Sequence, residues 1–177
     1  MKKIMMTLAA VAVAATMNAQ SYVGGSFGFT SVSHDGDNVT AFKVMPEIGT
    51  TLTDDLAVGI SFGYAQSGKG NNKVKAWGVN PYLRYTFAKF DKVNVFVDGT
   101  VGYQSTDDKK VDYKTNEFEV GLKPGVAVNL TDEVSFVAHF GFLGYNYSKP
   151  DFDGAKATNT FGVNLDSNVS FGLYFNF

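Results

Sequence analysis

Residues 161–177, FGVNLDSNVSFGLYFNF, alternate along their whole length: odd positions carry Phe, Val, Leu, Ser, Val, Phe, Leu, Phe and Phe, and even positions Gly, Asn, Asp, Asn, Ser, Gly, Tyr and Asn. A period of two residues is the signature of a β-strand with one oily and one polar face. The oily face is bulkier than a thinly covered sheet needs. Such a strand, apolar outside and polar within, is what a closed sheet spanning a bilayer requires, because lipid can hydrogen-bond no open sheet edge.

The amino-terminal residues predict export. Met1, Lys2 and Lys3 form a short positive segment, Ile4 to Ala15 is an apolar run of about a dozen residues, and Met17-Asn18-Ala19 is a small-residue cleavage region with an atypical Met at its first position. This reads as a signal peptide over 1–19 with the mature chain, 20–177, starting at Gln20; the run is too short for a transmembrane helix, which needs about 20 apolar residues. The mature chain of about 158 residues has the length of one domain. Its formal charge, −2 for the whole sequence and about −4 without Lys2 and Lys3, gives no argument for nucleic acid. With no cysteine there is no disulfide, no thiol to lipidate and no Cys-based metal site. Mean hydropathy is close to zero, but alternation hides the apolar residues of a barrel from any average. The 19 glycines, 16 phenylalanines and 9 tyrosines suit an all-β chain with aromatic girdles.

Seven further segments repeat the pattern, at about 21–31, 41–52, 56–66, 74–88, 93–105, 115–130 and 134–147. Their outward faces read Val23, Phe27, Phe29; Phe42, Val44, Pro46, Ile48, Leu52; Leu56, Val58, Ile60, Phe62, Tyr64; Trp77, Val79, Pro81, Leu83, Tyr85, Phe87; Val93, Val95, Val97, Val101, Tyr103; Phe118, Val120, Leu122, Pro124, Val126, Val128, Leu130; and Val134, Phe136, Ala138, Phe140, Phe142. The connections at 53–55, 89–92 and 131–133 are tight and bear Asp, whereas 32–40, 67–73, 106–114 and 148–160 are long and polar. The predicted fold is an all-β, eight-stranded antiparallel up-and-down transmembrane barrel, its short turns toward the periplasm and its four long loops outside the cell.

Charge placement supports these faces. Lys43, Glu47, Arg84, Asp98, Glu117, Glu119, Lys123 and Asp166 all fall opposite the large apolar residues. A charge on the lipid face costs about 2–4 kcal/mol at mid-membrane. A soluble sandwich or lipocalin-like barrel would reverse the two faces, but its interior would have to hold too many aromatic and branched side chains. An eight-stranded lumen is just wide enough for side chains, so these charges are expected to pair and plug it. The inward Gly59, Gly63, Gly78, Gly102, Gly121, Gly125 and Gly141 would make room for them.

The terminal pattern Ser170-x-Gly172-x-x-Phe175-x-Phe177 resembles the assembly signal of outer-membrane β-barrel proteins, and the whole mature chain resembles the small eight-stranded barrels of the OmpX and OmpA-transmembrane type. Asn18-Ala19-Gln20 is similar to the signal ends of Bacteroidetes-type secreted proteins. The resemblance implies a monomer of the outer membrane of a diderm bacterium, handled by the barrel-assembly machinery and surrounded by lipid and lipopolysaccharide.

Little chemistry is expected. His34 sits beside Asp35 in the first loop; His139 faces inward, with Ser135 on its face about 13 Å away along the strand, beyond hydrogen-bond reach. Gly68-Lys69-Gly70 lacks the spacing of a phosphate loop, and Asp35-Gly36-Asp37-Asn38 and Asp151-Phe152-Asp153-Gly154 lack the closing Glu of a calcium loop. Lys69, Lys73, Lys75, Lys109, Lys110 and Lys114 are interleaved with Asp107, Asp108 and Asp112, as on a solvated surface rather than a lipopolysaccharide-binding patch. No catalytic, cofactor or metal residue is expected. The function expected is structural, or surface interaction through the loops; a narrow pore or small-molecule transporter and a lipid-modifying enzyme are the alternatives.

Overall fold

A computed structural model describes residues 20–34, 37–69, 72–108, 113–152, 154–164 and 170–177. The expected signal peptide over 1–19, the acid Asp166 and the loop residues Asp35, Gly36, Gly70, Lys109, Lys110, Asp112 and Asp153 lie outside the described residues. Ten strands follow in order: β1 (Ser21–His34), β2 (Asp37–Thr51), β3 (Leu56–Lys69), β4 (Asn72–Lys89), β5 (Val93–Asp108), β6 (Tyr113–Asn129), β7 (Val134–His139), β8 (Phe142–Pro150), β9 (Thr158–Asn164) and β10 (Ser170–Asn176). β7 with β8 and β9 with β10 are each two pieces of one stave, so the barrel has eight staves.

Each stave pairs antiparallel with the next from β1 to β6. β6 pairs with both β7 and β8, β8 with β9, and β7 with β10. β10 returns to β1, with Tyr22 opposite Asn176 and Ser26 opposite Gly172, and Ser21 and Phe177 exchange two backbone hydrogen bonds of 2.9 Å at the rim. The sheet is closed.

Two of the three short turns are built by threonine. Thr53 Oγ1 accepts from the backbone N–H groups of Asp55 and Leu56 at 3.3 and 3.1 Å, and Thr131 Oγ1 from those of Glu133 and Val134 at 3.2 and 3.1 Å. In both turns a hydroxyl takes the place of a backbone acceptor. At the other end, three of the four expected long loops are mostly strand. β1 and β2 pair out to His34 and Asp37, β3 and β4 to Lys69 and Asn72, and β5 and β6 to Asp108 and Tyr113. A membrane crossing takes about 9–11 tilted residues, so strands such as β4, with 18 residues, project well beyond it. The backbone ladder there continues through polar residues, which is why polarity alone reads as loop.

The lipid face is as expected over most of the circumference: Val23, Phe27, Ile48, Phe62, Trp77, Leu83, Val101, Val120, Leu173 and Phe175 are among its exposed apolar residues. Toward the long hairpins it carries an aromatic belt in which Tyr64 is paired with Trp77, Tyr103 with Phe118 and Tyr145 with Phe161. The hydroxyls of Tyr103 and Tyr145 donate to Asn116 and Asn159 at 2.9 and 2.6 Å, as amphipathic rings do at a membrane–water boundary.

Stave seven departs from simple alternation. The register against β6 runs Gly125–His139 and then Leu122–Leu143, one extra residue on the β7–β8 side, and Gly141 takes φ 70°. This is a β-bulge with glycine in the left-handed region. It reverses the faces: Ser135, Val137 and His139 point inward before it, and Phe142, Gly144 and Asn146 after it. Phe142, expected on the lipid face, lies in the lumen, where Gly121 leaves space for its ring and Lys123 sits 5.5 Å from the ring centre.

Candidate functional site

The lumen is crossed by one packed layer that lies nearer the short turns than the hairpin tips. β4 and β5 place Arg84 and Asp98 directly opposite each other on the inner face, and Arg84 Nε and Nη2 donate to the two Asp98 carboxylate oxygens at 2.8 and 2.9 Å. Glu47 of β2 comes within 3.6 Å of Arg84 Nη2, and His139 Nε2 of β7 lies 2.9 Å from Asp98 Oδ2 and 3.4 Å from Arg84 Nη2. Arg84 and Asp98 retain only 8% and 3% of their exposure. Two charges so deeply enclosed persist because each meets the other in fork geometry with further polar partners.

Aromatic rings complete the layer. The Arg84 guanidinium lies 4.0 Å from the ring centre of Phe96 and 5.2 Å from that of Tyr82, with Tyr22 and Tyr174 at 5.8 Å. These distances are within the range of cation–π attraction. The Tyr22 hydroxyl donates to that of Tyr82 at 2.6 Å, which in turn donates to Glu47 Oε1 at 2.5 Å. The rings fit because glycines face them: a Cβ on Gly49, Gly59 or Gly125 would collide with Tyr22, Tyr82 or Phe96 respectively. The sequence reading has the inward glycines accommodate charged chains, and Gly102 does face Glu119, but Gly59, Gly121 and Gly125 accommodate aromatic rings. The rings are wider than a charged chain and cannot fold away.

Above this layer, toward the long hairpins, is a cavity of about 390 Å³ bordered by Lys43, Asn80, Thr100, Glu119, Lys123 and Asn146. Below it, a second cavity of about 740 Å³ reaches the short turns at Asp54, Asp91 and Asp132. Arg84 borders the lower cavity; Asp98, Glu47 and His139 border the upper one.

All seven described charges from the strand cores lie on the inner side. Lys123 Nζ pairs with Glu119 Oε1 at 2.7 Å, and Glu117 accepts from Gln104 at 3.2 Å and Ser148 at 3.4 Å. Of the terminal motif, Ser170 and Gly172 border the upper cavity, while Phe175 and Phe177 are exposed on the outer face. Gly172 is required by contact, since a Cβ there would meet the Gly25 carbonyl oxygen of β1 at 2.7 Å. His34 ends β1 opposite Asp37 rather than lying in a loop. Ser135 Oγ donates to Asn129 at 3.0 Å and accepts from Asn176 at 3.0 Å, both remote from His139.

The sequence reading misses Tyr22, Tyr82, Phe96 and Tyr174, the aromatic half of the layer. The signal is present: each has the parity of the charged face, where a large ring has no lipid to meet.

The outer membrane protein beta-barrel domain family model matches residues 4–176. A major outer membrane protein from Thermus thermophilus superposes with a TM-score of 0.56 at 12% identity, covering 90% of this chain and 100% of that one. OprG from Pseudomonas aeruginosa gives 0.53 at 13%, covering 90% and 96%, and Neisserial surface protein A 0.50 at 16%, covering 90% and 96%. At these identities the structures share the fold alone. No curated protein matches the chain in sequence. With a closed eight-stave barrel, a lipid-facing exterior and a family match over nearly its whole length, the chain belongs to the outer membrane protein β-barrel domain family.

Proposed function

We propose that this protein is a monomeric, non-catalytic barrel with an occluded lumen, serving as a structural or surface-interaction element through the hairpins that project from the membrane. The observation that carries the reading is the Arg84–Asp98–Glu47–His139 layer with its four rings, which separates the two cavities. The separation of Ser135 from His139 and the burial of His139 against Asp98 speak against a Ser-His hydrolytic pair on a lipid-facing surface. In this reading residues 1–19 are a cleaved signal peptide, the short turns face the periplasm, the hairpins meet lipopolysaccharide and an external partner, and Ser170, Gly172, Phe175 and Phe177 present strand eight to the assembly machinery. Planar-bilayer recording of the refolded barrel tests the occlusion. Little or no steady conductance is expected; a stable open channel would overturn this reading in favour of a pore.

A further inference from the structure

We infer that the free edge of β9 is a docking site for an extended, uncharged polypeptide segment of an external protein, which adds to the sheet as a further strand. The inference rests on the reading of the projecting hairpins as the interacting surface, and names where on them a partner binds. β9 pairs with β8 along Thr158–Asn164 and stands last in the sheet order, with no strand on its other side among the described residues. Partners in the β1–β10 ladder sum to 198, so the same register carried upward would bring His34, where β1 ends, opposite Asn164, where β9 ends. β9 therefore rises past the tip of the neighbouring β1–β2 hairpin.

Both faces of β9 register the missing neighbour. Leu143 and Tyr145 of β8, flanked by strands on both sides, are 38% and 40% exposed, while their cross-strand partners Val163 and Phe161 on the same outer face are 62% and 77% exposed. On the inner face a Cβ on Gly144 would collide with the Val120 carbonyl oxygen, whereas one on Gly162, directly opposite, would have nothing within 4 Å. An open edge presents a row of backbone N–H and C=O groups whose complement is another extended chain, and such edges are normally guarded by Lys, Pro or a bulge. The sequence TNTFGVN of β9 has no charge and no Pro, and its ladder with β8 is unbroken. In strand addition the main chain supplies affinity and alternate side chains supply specificity. The incoming strand is therefore apolar where it lies beside Phe161 and Val163, and the space at Gly162 admits a large side chain on its other face. A second copy in the same membrane would offer its β9 running in the same direction, the less stable parallel pairing, whereas a free segment can run antiparallel.

The test is amide hydrogen exchange, read by nuclear magnetic resonance, on the full mature barrel in lipid nanodiscs, alone and with a capped heptapeptide of alternating threonine and valine. The same peptide with every amide N-methylated, and so unable to donate to a ladder, is the comparison. In the free barrel alternate amides of Thr158–Asn164, those not bonded to β8, should exchange fast; the first peptide should slow them saturably and the methylated one should not. Amides at Asp107 and Tyr113, on the tip of the β5–β6 hairpin, should be unaffected. Phe161→Ala should weaken binding about two- to fivefold, as for loss of a cross-strand aromatic pair, while Trp77→Ala, elsewhere on the aromatic belt, should not. Retention of the unboiled gel mobility shows that each variant is folded, and if Phe161→Ala does not fold the exchange map of the parent decides alone. Slow exchange of every β9 amide in the free barrel would mean that lipid or a second copy already covers the edge, and would overturn the inference. So would equal slowing by the methylated peptide, or undiminished binding by folded Phe161→Ala. Protection confined to other hairpins would overturn it too, while leaving the surface-interaction reading in place.

Discussion

At the scale of single residues, the layer around Arg84 works by mutual enclosure. Arg84, 8% exposed where it borders the lower cavity, is otherwise enclosed by Phe96, Tyr82 and the carboxylates of Asp98 and Glu47. Arg84→Ala would leave Asp98 buried with only His139 against it, and breaking a buried pair from one side costs about 3–5 kcal/mol. Urea unfolding in lipid vesicles should show a loss of that order, together with a rise in bilayer conductance as the two cavities join; a variant as stable and as silent as the parent would show that the layer is held elsewhere. Gly125→Leu should be disruptive for a different reason, since its side chain would occupy the space of the Phe96 ring. Combining it with Phe96→Ala should recover much of the folded fraction, whereas additive losses would show that the glycine answers to the backbone rather than to the ring. The charged half of this layer is legible in the sequence because Lys, Arg, Asp and Glu cannot face lipid, so parity settles their side. The aromatic half is not legible by type: Phe and Tyr suit a membrane exterior as well as a packed lumen, and only the even positions of Tyr22, Tyr82, Phe96 and Tyr174 distinguish them.

At the scale of elements, parity propagates only while the ladder is regular. From Val134 to His139 it is regular, and the sequence-derived faces agree with burial at Val137, enclosed, and Phe136, open to lipid, whereas Ala138, expected on the outer face, is only 6% exposed. Beyond it, the extra residue at Phe140–Gly141 exchanges the faces. Gly141 in FGFLG carries no sequence signature that separates a bulge from a strand position where the partner backbone comes close, so simple alternation puts Phe142 on the wrong side. The same limit applies to the hairpins, whose polar residues read as loops although β1 to β6 pair almost to their tips. Phe140→Arg and Phe142→Arg separate the two descriptions. Phe140 is exposed on the outer face, so an arginine there should cost about 2–4 kcal/mol if near the bilayer midplane. Phe142 lies in the lumen among polar groups, so an arginine there should cost less and be limited by the space against Gly121 and by the neighbouring Lys123. Equal losses of folded fraction in vesicles would mean that the bulge does not redirect the strand.

At the scale of the whole molecule, the barrel exists only if its first and last staves meet. That closure rests on the β1–β10 ladder from Tyr22–Asn176 to Ser26–Gly172, on the close approach of Gly172 to Gly25, and on the paired backbone bonds of Ser21 with Phe177. A closed hydrogen-bond cylinder has no edge for detergent to open, so the unboiled protein should migrate apart from the boiled form on detergent gels, and identical mobility would argue against closure. Deletion of Phe177 then distinguishes two roles for the end of β10. As a structural residue Phe177 contributes two rim hydrogen bonds and an exposed ring, 71% open, a modest part of a seam that is otherwise intact; on that account the truncated chain should fold slightly less well in vesicles and in cells alike. As part of an assembly signal with Ser170, Gly172 and Phe175, it acts on a receptor before the seam forms. The expected outcome is therefore asymmetric: export proceeds, refolding in pure lipid vesicles is nearly retained, and insertion into the outer membrane of cells is impaired. Equal small losses in both settings would leave Phe177 as a rim residue only, and unimpaired insertion in cells would remove it from assembly altogether.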